Sequence, residues 1–284
     1  MAIPWSQYAG YPTAAMNYAA GYTLGCQVKN TVDGFIYQSV GDGLWSKYPV
    51  TTGAIVLPAA AGTLACWHDP SQDAYNNNDH VVSPTDWSGA SHGFGQATAG
   101  NQPIFKTNIL GGRSAYLFAS ASAQCLSTSG YSNWKPSGNF TEVILVQHVS
   151  SASVQVYSSC GSHYINRTTD PGYTWNDYTN FASTFRCTFP IANAVPYLFI
   201  TRADTSTTSW YLNSGNPIAY NAIAGGLSKN TYGYLGTYFD GASYPFDGYL
   251  FEYLWYTGAI TLANLAGLIN YFSAKYSYSF GAVA

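Results

Sequence analysis

Apolar and aromatic residues come in short runs along this chain, separated by clusters of Gly, Asn, Ser, Asp and Pro. The runs at 34–40, 114–119, 140–149, 153–158, 194–203, 209–213, 233–238 and 248–256 are rich in β-branched and aromatic side chains, which predicts strands. Two of them, FTEVILVQHV at 140–149 and GYLFEYLWY at 248–256, are apolar at both parities. A strand exposed on one face alternates, so these two are expected to be central and covered on both faces. Each carries one of the chain's two glutamates, Glu142 and Glu252. The spacing changes only near the end. Leu262, Leu265, Ile269, Phe272 and Tyr276 follow steps of three and four, which predicts one amphipathic helix over 261–276 with Thr261 as its N-cap. The apolar window 51–66 reads as a buried strand leading into a small-residue linker. With Pro58, three Thr and two Gly it is also too short and too interrupted for a membrane helix. Many short strands and one terminal helix predict an all-β, two-sheet sandwich. The first 62 residues, rich in Ala, Tyr and Gly, read as an N-terminal arm or small β subdomain, and 63–284 as the main domain.

Composition narrows the partners. Of 284 residues, 8 % are charged and 47 % are apolar. An ordinary soluble chain is about 25 % charged. The surface must then consist largely of uncharged polar and aromatic groups, and 26 tyrosines are available for it. The ten basic residues are scattered, the nearest pair being Lys106 and Arg113. Binding a phosphate backbone needs clustered Lys and Arg, so a nucleic-acid partner is not expected. The opening MAIPWSQYAG has neither a basic n-region nor an apolar h-region, so no secretory signal and no membrane insertion are expected. Five widely spaced cysteines, an odd number, read as buried reduced thiols rather than a disulfide framework.

Catalytic motifs are weak. Glycoside hydrolysis needs two carboxylates facing across a groove. The glutamates sit singly on separate strands, and Asp240-Gly241 and Asp247-Gly248 are turn signals first. Gly89-Ala90-Ser91-His92-Gly93 fits G-x-S-x-G, but no helical period follows it, so it reads as a loop. Cys66 and His68, with Cys160 and His163, have spacings too loose to argue for zinc over buried thiols and surface histidines. Asp69, Asp73 and Asp79 beside Asn76–Asn78 offer oxygen ligands that leave calcium open, without EF-hand spacing. No other cofactor is expected. The sequons at Asn139 and Asn166 read as chance. Exposed rings are the stronger binding feature: Tyr131, Trp134, Tyr173, Trp175 and Tyr178 lie in Ser-, Asn-, Gly- and Pro-rich segments. Such rings suit sugars, whose rings present apolar C–H faces beside hydroxyls. They also suit protein interfaces or a core.

From residue 64 onward the chain resembles the laminin-G-like, concanavalin A-like jelly rolls of bacterial and phage proteins. Leu64-Ala65-Cys66-Trp67-His68-Asp69-Pro70 is similar to the opening strand of that family. Val82–Gly89 with Gln96 and Gln102-Pro103 resembles its tryptophan-aspartate segment, with Asp and Trp in shifted order. Asn108–Arg113 with Ala115–Phe118 resembles a further strand. Phe246–Tyr256, followed by Tyr271–Tyr276, resembles the closing strand and helix. The resemblance implies a jelly roll whose loops or concave face bind glycans or proteins. The acidic strand motif of the hydrolase branches is missing, so the chain is expected not to be an enzyme. The first 60 residues lie outside the pattern. Together these features resemble bacteriophage virion proteins: a tail fibre, an adhesin or a capsid decoration. The implied partners are other virion proteins or sister copies in a homo-oligomer, and a host surface glycan. The implied location is the virion or the extracellular medium. A free lectin-type protein and a glycan hydrolase of the same fold remain the alternatives.

Overall fold

The protein is described by a computed structural model that places residues 55–130, 132, 134, 138–150, 154–160, 163, 165, 192–213, 217, 232–238 and 240–280 with their side chains. The remaining strand residues given below are placed by their backbone alone. The N-terminal segment contributes β1 (Ser6–Tyr8), β2 (Gln27–Asn30), β3 (Ile36–Gly41) and β4 (Leu44–Tyr48), one four-stranded sheet in that order. A short helix, α1 (Pro58–Ala61), precedes β5 (Leu64–His68). After a long loop come β6 (Ile104–Leu110), β7 (Arg113–Phe118) and β8 (Leu126–Ser127). Next follow β9 (Phe140–His148), β10 (Gln155–Cys160), β11 (His163–Arg167), β12 (Tyr173–Asp177) and β13 (Phe185–Phe189). The chain ends with β14 (Pro196–Ala203), β15 (Thr208–Leu212), β16 (Ala219–Asn221), β17 (Tyr234–Leu235), β18 (Gly248–Thr257) and α2 (Leu262–Tyr276).

The large antiparallel sheet runs β16-β15-β14-β9-β18-β7-β6. Strand β18 has β9 along one side. Along the other it pairs first with β7 (Leu250↔Tyr116) and then with β5 (Trp255↔Cys66). The second sheet runs β11-β10-β17-β8, and β12 and β13 form a separate hairpin. This is the two-sheet jelly-roll sandwich expected from the strand pattern.

The two doubly apolar runs are the central pair, β9 and β18, and each face has its own cover. Ile144, Val146, Tyr253 and Trp255 meet Leu126, Tyr157, Cys160 and Leu235 of the second sheet. Val143, Leu145, Phe251 and Leu254 meet Leu265, Leu268, Ile269 and Phe272 of α2. Full burial of each such side chain contributes about 1.5–3 kcal/mol. A bulge between Leu250 and Glu252 shifts the register, because Leu250 pairs with Val146 and Glu252 with Leu145. The extra residue places Phe251 and Glu252 consecutively under α2, where simple alternation would turn one of them inward.

The helix is where the spacing placed it. Thr261 caps it, its hydroxyl accepting from the Asn264 N–H at 3.2 Å. Leu262, on the predicted stripe, stays 60 % exposed, and Leu268 is buried in addition. The contact face is therefore wider than one strict stripe and begins a turn later. Gly111, in the β6–β7 turn, is fixed by this packing: its φ is +56°, and a Cβ there would lie 2.3 Å from the Tyr276 carbonyl oxygen.

Two local expectations are corrected. In the window 51–66, positions 51–54 lie outside the described residues, and 55–57 form no strand. Pro58 at the first helical position and three following alanines favour α1 instead. Tyr256 O–H donates to the Pro58 carbonyl at 3.0 Å, and Asn264 Nδ2 donates to the Ala61 carbonyl at 2.8 Å, so α1 is tied to β18 and α2. The run 233–238 forms only the two residues of β17, because Gly236 turns the backbone to φ +84°. Among the described residues no helix is long and apolar enough to cross a membrane.

Candidate functional site

The two glutamates occupy opposite faces of the large sheet. Glu142 points between the sheets, where its Oε2 is hydrogen-bonded to His163 Nε2 at 2.5 Å, and both side chains are fully buried. Glu252 points outward beneath α2. Its Oε1 accepts from Trp67 Nε1 at 2.8 Å and from the Tyr271 hydroxyl at 3.0 Å. Its Oε2 accepts from Lys275 Nζ at 2.7 Å and from the Tyr276 hydroxyl at 2.9 Å. Burial pushes the Glu252 carboxyl above its usual range, and the Lys275 charge works against that push. Lys275 Nζ also reaches Asp69 Oδ2 at 2.5 Å. One lysine thus joins two carboxylates, from β18 and from the end of β5, to the last turn of α2. Carboxylates separated by a sheet cannot flank one glycosidic bond. Among the described residues this pair does structural work.

The other catalytic and metal motifs dissolve into loop and core geometry. Asp86 pins the glycine-rich loop to β5, accepting from the N–H of Trp67 (3.0 Å), Ser88 (3.0 Å) and His92 (2.7 Å). Burial opposes its charge, and these hydrogen bonds outweigh burial and hold its pKa below the ordinary value. Gly89 and Ser91 are both left-handed, and no helix follows Gly93. The segment is therefore a loop. Cys66, His68, Cys160 and His163 are all buried between the sheets, which corrects the surface position expected for the two histidines. Among the described residues, however, no three or more His, Cys, Asp or Glu side chains are grouped to hold a metal. Cys66, Cys125 and Cys160 are buried, and burial pushes the Cys66 thiol up. The three loop aspartates separate. Asp69 caps the turn Pro70–Gln72 and pairs with Lys275, Asp79 accepts from the Asn76 N–H at 2.7 Å, and Asp73 turns toward Tyr116.

Of the predicted binding rings, Trp134 has its side chain described. It is half-buried at the rim between the sheets. Its indole stacks on His92 at 5.2 Å and meets Phe94 and Trp255 edge-on at 6.1 and 5.8 Å. Tyr173 and Trp175 hold positions on β12 opposite Phe189 and Cys187. Tyr131 and Tyr178 lie outside the described residues.

A ring that the sequence reading did not single out for binding stands at the surface. Trp87 is 38 % exposed. Its backbone N–H donates to the Trp67 carbonyl at 2.8 Å, which holds residues 86–88 along the free edge of β5. Its indole Nε1 donates to Asp73 Oδ1 at 3.3 Å, and the Thr85 N–H reaches the same oxygen at 3.3 Å. The Tyr116 hydroxyl donates to Asp73 Oδ2. Burial raises the Asp73 pKa against these hydrogen bonds. Tyr75 stands beside them, packed on Phe105 at 5.7 Å, its hydroxyl accepting from the Ser83 N–H at 3.3 Å. The ring and the carboxylate lie 14 positions apart in sequence, inside a segment whose turn residues mask any period. A tryptophan in a polar loop was the one available signal.

The chain matches no family model and no curated protein. In structure it is similar to domain 4 of AbnA, a GH43 extracellular arabinanase from Geobacillus stearothermophilus, in complex with arabinotriose. That match covers 74 % of this chain and 99 % of that one, at 13 % identity and a TM-score of 0.54. It is also similar to the CBM40 of the Ruminococcus gnavus IT-sialidase bound to α2,3-sialyllactose, over 45 % and 80 % of the two chains (17 % identity, TM-score 0.38). A third similar structure is the SAP-like pentraxin of Limulus polyphemus, over 52 % and 76 % (12 % identity, TM-score 0.40). At 13 % identity the likeness to the arabinanase domain is one of fold alone, in keeping with the two-sheet jelly-roll sandwich described above.

Proposed function

We propose that this chain is a non-enzymatic, glycan-binding structural protein of a bacteriophage particle. In this reading residues 1–62 attach it to the particle or to sister copies, and 63–284 display the jelly roll. The observation that carries the glycan-binding part is how the body distributes its chemistry. Its two glutamates are buried on opposite faces of one sheet, while a tryptophan beside a carboxylate stands at the surface. Uncharged polar groups and rings suit a saccharide better than a charged ligand. The arabinotriose of the similar arabinanase domain supports a neutral sugar as the ligand class. Each contact of this kind is weak, and a homo-oligomer on a particle would multiply it through effective concentration. The virion part rests on the sequence resemblance and on the separate character of the first 62 residues.

The test is a glycan array probed with the full-length chain, with the bound glycans checked afterwards by mass spectrometry. Binding to a defined set of glycans that stay intact is the expected result. No binding across the array, or release of cleaved saccharide, overturns the reading. Trp175→Ala on the same array tests the β12 ring. Light scattering of the purified chain, and a particle reconstruction with residues 1–62 buried against neighbours, separate a virion component from a free lectin.

A further inference from the structure

We infer that Trp87, Asp73 and Tyr75 form a subsite for a neutral sugar ring, an inference that rests on the glycan-binding reading and says where it acts. The axial C–H bonds of a pyranose or furanose carry slight positive charge and are attracted to the negative face of an indole, while its hydroxyls need acceptors at the rim. Trp87 meets the first need. It is 38 % exposed, has no ring partner among the described residues, and is held in place by its backbone bond to β5. A ring fixed before binding loses little freedom when a ligand arrives.

Asp73 meets the second need. One carboxylate oxygen is committed to the Tyr116 hydroxyl. The other receives two N–H donors, from Thr85 and Trp87, both at 3.3 Å. Good N–H···O bonds span about 2.7–3.2 Å, and O–H···O⁻ bonds are shorter and stronger still. A sugar hydroxyl can therefore give this oxygen a closer donor than either N–H, beside the Thr85 side chain that also bonds the carboxylate. The Tyr75 hydroxyl already accepts from Ser83, and its own proton remains to donate to a sugar oxygen.

The surrounding charge selects against acidic sugars. Asp69, Asp73, Asp79 and Asp86 all lie in this segment. Of the two lysines near it, Lys275 is paired with Asp69 and Glu252, while Lys106, bonded to the neutral Asn78 side-chain oxygen at 2.6 Å, keeps its charge. A sugar carboxylate or sulfate would meet an excess of negative charge, four aspartates against Lys106, the one of these two lysines without a carboxylate partner among the described residues.

The experiment titrates the full-length chain with arabinotriose, cellotriose, maltotriose and α2,3-sialyllactose, following tryptophan fluorescence and heat, beside the glycan array. A neutral saccharide is expected to bind. Trp87→Ala should weaken it by about tenfold, Asp73→Asn by about fivefold, and Trp87→Phe by only about twofold, because phenylalanine keeps a stacking face. Unchanged circular dichroism in Trp87→Phe guards against reading misfolding as lost binding. If a saccharide binds and neither Trp87→Ala nor Asp73→Asn weakens it, the subsite is wrong and the glycan-binding reading stands. Preference for sialyllactose overturns the selectivity argued from charge. If no saccharide binds in either format, the glycan-binding reading fails and the subsite falls with it.

Discussion

Burial of His68 between the two sheets makes its protonation costly. Burial is the largest influence and lowers its pKa to about 4, with Asp86 pulling the other way. An unfolded chain takes up that proton near pH 6.5. Between pH 6.5 and about 4 the unfolded state thus binds more protons than the native one, and stability falls as pH falls through that window. At about 1.4 kcal/mol per unit, His68 alone accounts for a loss of about 3 kcal/mol. Urea unfolding at pH 7 and pH 4.5 should therefore show a smaller gap between the two conditions in His68→Phe, which keeps the edge-on contact with Phe94. An equal gap in variant and wild type would show that His68 is not the group that titrates. Further acid acts elsewhere. Backbone N–H groups of Ser206 and Thr207 hold the Asp204 carboxyl well below the usual range, so its contribution is lost only as pH falls through that depressed value. At this scale the sequence was half legible. The thiols read as buried, but the histidines read as surface groups, because whether an imidazole is covered, and by what, depends on which strands lie opposite.

At the scale of elements, α2 is joined to the sheet by hydrophobic packing and by one lysine. Lys275 is about one-tenth exposed and faces Asp69 and Glu252, both essentially buried. Removing the cation leaves two buried carboxylates unpaired, and breaking such a pair typically costs about 3–5 kcal/mol. Lys275→Met should lower stability by about that amount in urea unfolding. Lys275→Met with Glu252→Gln should lose less, because glutamine still accepts from Trp67 and Tyr271 without carrying charge. If the double variant is no better than the single one, the charge is not what makes the loss. The helix was readable from its three- and four-residue steps and its N-cap. The central position of β9 and β18 was readable from apolar residues at both parities. The bulge at Phe251 was not, because inserting one residue between hydrogen-bonded partners leaves the same hydrophobic letters in the same order.

For the whole molecule, few charges mean weak long-range electrostatics. The described ion pairs are internal staples, apart from the partly exposed Arg202–Asp204 pair, with N···O 3.1 Å. Salt at 0.15 M screens exposed charges beyond about 8 Å and leaves ring stacking and hydroxyl hydrogen bonds almost untouched. Saccharide affinity should therefore change by less than about twofold between 0.05 and 0.5 M NaCl in calorimetric titrations. A steep fall with salt would point to a charged ligand and against the neutral-sugar reading. The same composition argued from the outset against a phosphate-backbone partner, since an electrostatic footprint has to be present in the residues before any fold can gather it.

Local physics settled much of this protein in advance. Strand runs, turn residues and the terminal amphipathic helix each depend on neighbours a few positions away, so their order along the chain already implied a sandwich closed by a helix. Tertiary structure alone decided the rest, because the deciding partners are distant. It set Glu142 and Glu252 on opposite faces of one sheet, 110 positions apart in sequence, and chose Lys275 as the cation for two acids. It also carried Asp73 to Trp87 across a loop with no repeating pattern. Which side chains meet is set by strand order and register, and those follow from packing the whole core at once.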